Sequence, residues 1–359
     1  MLTILTLSGL TSKAEAASVA GGDLFSLAVR PDKSVVGWGR VPGSKAGADA
    51  TIQKTPTPVT GLSGIVSVAA GRGFALALDS NGQVWSWGAN ESGQLGDGTR
   101  KARLAPQKLP GVSNVRDIAA GAGFALALKK DGTVVSWGGN DCGQLGDGTT
   151  DDRAKPATVS GLSGITAIAC GARHALAVGR GGVVFSWGKG GDGELGNGTT
   201  EDRSKPGPVN GLSTITQVAA GWGHSLALAG DGTLWSWGLN TTGVVAESGD
   251  VVLEPVNVKA APAAAIACGN WSSLALLKDG TAIGWGNNGT GQLGKGSGGD
   301  TKTPVAVKDL KDAREIGAGD WHALALKNDG TLWSWGNNSN GQLGNDSLDT
   351  QNAPVQVKG

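Results

Sequence analysis

The sequence predicts an all-β fold, a seven-bladed β-propeller of four-stranded antiparallel blades. Three observations lead there. First, the pair Trp-Gly recurs at Trp38, Trp87, Trp137, Trp187, Trp237, Trp285 and Trp335, in steps of 49, 50, 50, 50, 48 and 50 residues, a fixed period that marks a repeat architecture. Second, each period carries the same strand-like segments: VAAG-like, xLAL, VWSWG-like and a terminal Pro-Val stretch. Third, the strands are apolar or small on both faces, so neither face suits water and the units must stack on copies of themselves.

Within one unit the elements follow in order. Residues 65–88 read IVSVAAGRGFALALDSNGQVWSWG. The first strand ends in Ala69-Ala70, and its counterparts are Ala119-Ala120, Ala169-Cys170, Ala219-Ala220, Ala267-Cys268 and Gly317-Ala318. Small residues fit where space shrinks toward the axis, which makes this strand the innermost. Asn81-Gly82 signals a two-residue type I′ hairpin. Counting outward from it pairs Leu78 with Trp85, Ala77 with Ser86 and Leu76 with Trp87, so that a Leu/Trp face would stack on the Ala/Ser face of the next blade. The DG turns at Asp131, Asp231, Asp279 and Asp329 are explained by turn chemistry.

The propeller is expected over residues 18–359, with residues 1–17 forming an N-terminal tail or edge strand, or the remnant of a secretory signal. The segment Leu5-Thr6-Leu7-Ser8-Gly9-Leu10 faintly resembles the Pro58-Val59-Thr60-Gly61 stretch and could lie beside the C-terminus to protect an exposed edge.

Composition narrows the function. Lys+Arg and Asp+Glu both number 30, with no run of one sign at either end, so the field that holds a phosphate backbone is missing and no direct nucleic-acid binding is expected. No stretch is long and apolar enough to span a membrane. The three cysteines are Cys142, Cys170 and Cys268. An odd number without a CxxC pair argues against a disulfide framework and against zinc. Cys170 and Cys268 occupy the Ala slot and read as buried small residues, Cys142 as an exposed loop thiol.

GxxHxLAL at 221–228, DGTLWSWG at 231–238 and GQLGDGTT at 143–150 resemble the repeat of the regulator of chromosome condensation family, over about Ser18 to Lys358. The resemblance implies a seven-bladed propeller used for binding proteins. The family's eukaryotic namesake is a guanine-nucleotide exchange factor for a small GTPase on chromatin, and bacterial relatives include a secreted inhibitor of β-lactamases. This chain has no basic tail and nothing that marks a GTPase-specific insertion, and none of the namesake's exchange residues is carried over. Its near-uniform units look bacterial, and the expected location, which the sequence does not fix, is extracellular or at the cell surface.

Candidate site residues emerge once the repeat is subtracted. His174, His224 and His322 fill a position that is Phe25, Phe74, Phe124 or Ser272 in the other units, which suits a packing and hydrogen-bonding slot. The GQLG loops have neither the acidic spacing of a calcium loop nor the lysine and helix of a phosphate loop, so no metal and no cofactor are expected. The loops between first and second strands do vary: Asp23-Leu24, Arg72-Gly73, Ala122-Gly123, Ala172-Arg173, Trp222-Gly223, Asn270-Trp271 and Asp320-Trp321. Antiparallel parity places them on the same face as the GQLG loops, opposite the DG turns. Trp222, Trp271 and Trp321, with Arg173, Asn270 and Asp320 beside them and His174, His224 and His322 beneath, form the candidate partner-binding set; the same tryptophans could instead plug the channel. Aromatics flanked by polar groups serve protein hot spots and glycan platforms alike. The expected function is a non-catalytic binding propeller, monomeric, with a protein partner. The alternatives are an exchange regulator of a small GTPase and a secreted enzyme inhibitor or glycan-binding adhesin.

Overall fold

The structure is a computed structural model that describes residues 19–42 and 52–358. The tail or edge strand expected over 1–17, and Ser18, lie outside the described residues. Twenty-eight strands form seven four-stranded antiparallel sheets, each in sequence order, with a 3-10 turn at Arg180–Gly182 as the helical element among the described residues. Blade two is typical, with strands Ile65–Ala70, Phe74–Asp79, Val84–Gly88 and Arg103–Lys108. The first strands of neighbouring blades pack against one another around the axis.

The hairpin register differs from the sequence expectation by one residue. Ala77 faces Trp85, Leu76 faces Ser86 and Ala75 faces Trp87. The cause is the turn. Gly82, at φ 76°, has the left-handed backbone and Asn81 does not; the Gly82 N–H donates to Asp79 O at 2.9 Å and the Asp79 N–H to Gln83 O at 3.0 Å. The loop is therefore the three residues 80–82, closed by a glycine in the left-handed region, rather than a type I′ pair. A one-residue slip exchanges the faces of a strand. The Leu/Trp and Ala/Ser faces are accordingly replaced by a face of Leu76, Leu78 and Val84 and a face of Ala75, Ala77, Trp85 and Trp87.

Stacking follows from that exchange, because each indole lies beside the alanines that make room for it. Phe74, Leu76, Leu78 and Val84 of blade two pack on Ala125, Ala127, Val135 and Trp137 of blade three. The pattern repeats around the ring until Leu324, Leu326 and Leu332 of blade seven meet Ala28, Val36 and Trp38 of blade one. All seven repeat tryptophans are buried, each contributing about 4–6 kcal/mol of apolar burial. The Gly after each is also explained: Gly88 has φ 108°, and a Cβ there would lie 2.3 Å from Gly73 O.

Candidate functional site

The loops between first and second strands lie where parity puts them. Their carbonyls accept N–H groups at the start of the GQLG-type loops, as in Ala89 to Gly73 at 2.8 Å and Asn287 to Trp271 at 2.8 Å. On the opposite face the DG-type turns meet the inter-blade connections, as in Ser80 N–H to Gly64 O at 2.9 Å.

These loops form two concentric rings. The inner ring is the first variable residue of each loop; Arg72, Ala122, Ala172, Trp222, Asn270 and Asp320 line the mouth of a central cavity of about 170 Å³ above a wall of Gly and small residues, and Asp23, the seventh, lies outside that lining. Blades join here through backbone bonds: Ala172 N–H to Gly221 O at 3.0 Å, Trp222 to Asn270 at 3.1 Å, Asn270 to Asp320 at 3.2 Å and Asp320 to Gly22 at 3.1 Å. Glycine is required behind that ring, because a Cβ on Gly71, Gly121, Gly171, Gly221, Gly269 or Gly319 would sit 2.4–2.8 Å from the next blade's glycine carbonyl. Cys170 and Cys268 line this wall and are half-buried rather than wholly inside; burial pushes both thiols up. Cys142, expected to be exposed, is also half-buried, tucked beside Arg173.

The mouth is charged and aromatic. Arg72 reaches across from blade two to blade five, its guanidinium carbon 5.7 Å from the Trp222 ring centroid, within cation–π range. Burial pushes Asp320 up to about 6, the charge of Asp23 adds to the rise, and Asn270 and Arg72 oppose it. Burial likewise raises Asp23, against the N–H groups of Leu24 and Gly73 and the charge of Arg72.

The outer ring is the second variable residue. It holds Trp271 and Trp321, both half-buried and outside the cavity lining, and Arg173, which pairs with Asp141 at 2.9 Å with both side chains about half exposed. Such a pair contributes little to stability. The fold therefore brings Trp222, Asn270 and Asp320 to one mouth and sets Trp271, Trp321 and Arg173 around it. The sequence-based set omits Arg72 and Asp23; the signal for them is that both hold the first position of the variable loop.

The three histidines are buried one layer below. Each bonds a serine of the next blade: His174 Nε2 to Ser225 Oγ at 2.9 Å, His224 to Ser273 at 3.1 Å and His322 to Ser26 at 2.8 Å. Each serine hydroxyl donates to a loop carbonyl, Glu194, Val244 or Gln342, at 2.8–2.9 Å. With its proton so placed, the serine oxygen accepts, and the imidazole must carry its proton on Nε2. Burial depresses His174 to about 3 and His224 and His322 to about 4, so all three are neutral at neutral pH. Where the slot holds Phe25, Phe74, Phe124 or Ser272, the next blade has Ala75, Ala125, Ala175 or Ala323 instead of serine. The two positions change together across all seven interfaces.

Another repeated residue escapes the sequence reading, the buried Asn three places after the Trp. Asn90 donates to Thr99 O at 3.1 Å and Lys101 O at 3.0 Å and accepts the Leu95 N–H at 2.9 Å, and Asn140 makes the same bonds to Thr149, Asp151 and Leu145. These residues hold the long loops in shape beside the mouth.

The comparisons with known proteins agree with this construction. The chain is 35% identical over 100 residues to human E3 ubiquitin-protein ligase HERC2, and 31% identical over 103 residues to protein pim1 of Schizosaccharomyces pombe. Those matches cover 26% and 24% of this chain but only 2% and 19% of the relatives. Among solved structures, human WBSCR16 superposes with TM-score 0.78 at 28% identity over 89% of each chain. Prp20p of Saccharomyces cerevisiae, in a structure described together with its binding to Gsp1p and histones, superposes with TM-score 0.81 at 25% identity over 97% of this chain and 88% of its own. The family model described as RCC1-like domain matches residues 5–264, and regulator of chromosome condensation repeats match 263–292, 313–342, 279–326 and 329–359. With the blade geometry and these matches together, the chain belongs to the RCC1-like domain family.

Proposed function

We propose that the chain is a non-catalytic binding propeller that presents its loop-rich face to a protein partner. The observation that carries this reading is the channel mouth, where Arg72 crosses to Trp222 beside Asn270 and Asp320 and burial raises the carboxyls of Asp320 and Asp23. Charged groups held at a cost to folding mark functional surfaces. Trp271 and Trp321 around the mouth supply the large apolar contacts that dominate protein interfaces. The likeness to Prp20p, described with its binding to Gsp1p and histones, supports a protein partner. Capture from an extract of the source cells, analysed by mass spectrometry, tests it. A protein retained by the wild type and lost with Trp271→Ala/Trp321→Ala, at unchanged thermal stability, supports the reading; equal retention by both moves the site elsewhere.

The same likeness favours a second reading, that the partner is a small GTPase whose nucleotide exchange this face promotes. Release of a fluorescent GDP analogue from candidate GTPases separates the two. No stimulation at micromolar propeller removes the exchange reading and leaves the binding one.

A further inference from the structure

We infer that the channel mouth is a receptor for a single cationic side chain, a lysine ammonium or an arginine guanidinium, delivered by the protein that docks on this face. The inference rests on the docking reading above and names the chemistry of its centre.

Three features converge. The mouth already seats one guanidinium, because Arg72 crosses the channel to lie over Trp222. Two carboxylates face that single cation. Asp23 and Asp320 come from the adjoining blades one and seven, the charge of Asp23 raises Asp320, and among the described residues neither has an ion-pair partner within 4.0 Å. Asp23 is held by neutral donors, the Gly73 N–H at 3.3 Å and the Leu24 N–H, and Asp320 by the Asn270 side chain. Desolvated carboxylates without a paired cation are stabilised by whatever brings one. Finally, the space fits one side chain. The cavity of about 170 Å³ is smaller than the roughly 300–1,000 Å³ of small-molecule pockets, and its Ala and Gly wall suits the alkyl stem of a lysine or arginine whose charged end stays among polar groups.

The alternatives fit less well. An anion would meet two carboxylates, and the backbone N–H groups that could cradle it at Ala172, Trp222, Asn270 and Asp320 are spent on inter-blade bonds. A neutral ligand would leave the carboxylate charge uncompensated. Among the described residues Arg72 is the cation whose charge acts on both Asp23 and Asp320, so it is a resident that an incoming cation must displace or sit beside.

The test follows the indole N–H resonances of the whole protein by NMR, with the Trp222 signal assigned through Trp222→Phe. The probes are n-butylguanidinium and n-butylammonium chloride, with sodium butyrate and sodium chloride as controls at constant ionic strength. The expected result is a saturable shift of the Trp222 signal with both cations and none with butyrate. Asp23→Asn and Asp320→Asn should each weaken cation binding about tenfold, the loss of one charged hydrogen bond, while Arg72→Ala retains or strengthens it. The remaining indole signals report that each variant stays folded. No saturable shift with the cations, an equal shift with butyrate, or undiminished cation binding in the double Asp variant each overturns the inference. The docking reading fails separately, since it stands or falls with partner capture by the Trp271→Ala/Trp321→Ala protein.

Discussion

Six of the seven blade interfaces in this ring are of two kinds, and the seventh, between blades six and seven, sets Ser272 against Ala323. Between blades one and two, two and three, and three and four, a Phe ring packs over the next blade's alanine; between blades four and five, five and six, and seven and one, an imidazole bonds the next blade's serine. The backbone is the same in both, and so is the glycine beneath the ring. The difference is one of pairing. A buried imidazole needs a partner for its N–H, and a buried hydroxyl needs an acceptor for its own, whereas Phe and Ala need only shape. The slot residue is thus half of a two-residue unit that spans the blade boundary.

The strongest test concerns what the two kinds share. Gly71→Ala at a Phe interface and Gly221→Ala at a His interface place a Cβ 2.1 Å and 2.3 Å from the ring of their own blade and 2.5–2.6 Å from the next blade's carbonyl. Both should lose more than about 3 kcal/mol in urea unfolding, and a tolerant Gly221→Ala would break the equivalence. Next comes the difference itself. Ser225→Ala strands the His174 N–H and should cost about 2 kcal/mol, as should His174→Phe alone, which crowds Ser225 and removes its imidazole donor. Combining them recreates a Phe–Ala interface and should recover most of the loss, a coupling that a double-mutant cycle reads directly.

Acid unfolding sharpens the comparison further. The folded histidines titrate near 3 to 4 and unfolded ones near 6.5, so the unfolded chain binds protons first. Stability contributed by the neutral histidines is therefore lost as pH falls from about 6.5 toward 4. Each converted His–Ser pair should remove up to about 1.4 kcal/mol per pH unit from that slope, while changes at Phe interfaces leave it alone.

The smallest expected effect lies outside both kinds, at the mouth, and has the opposite sign. The folded state protonates Asp320 at about 6, above the ordinary 3.8, so its ionisation burdens folding and the burden lifts as pH falls through 6. Asp320→Asn should raise stability at pH 7 by about 1 kcal/mol, discounted for partial exposure, and the gain should vanish below about pH 4. A stability loss at pH 7 would place Asp320 among the structural residues instead.

The legible part of this molecule is what repeats. Trp-Gly at a fixed period discloses the blades, and chain parity discloses which loops share a face. The hairpin register is not legible, because Asn81-Gly82 invites a two-residue turn while only Gly82 takes the left-handed backbone. The same slip hid which side the tryptophans occupy. Arg72 meeting Trp222 is a contact across the axis, set by ring closure between blades of unrelated loop sequence, and nothing local announces it. Nor does the separation of Trp222 from Trp271 and Trp321, which depends on which of two adjacent loop residues points inward.

The one-way match between a ring residue and its neighbour's small residue also constrains how such a chain can grow. A blade can be copied in tandem without mismatch only if its own two residues suit each other. Blade five carries His224 beside Ser225, and blades two and three carry Phe74 beside Ala75 and Phe124 beside Ala125. Blade four joins His174 to Ala175, and blade seven joins His322 to Ala323, so a duplicate of either would set a buried imidazole against alanine. Lengthening or shortening the array at blades two, three and five is the route that leaves every new boundary satisfied.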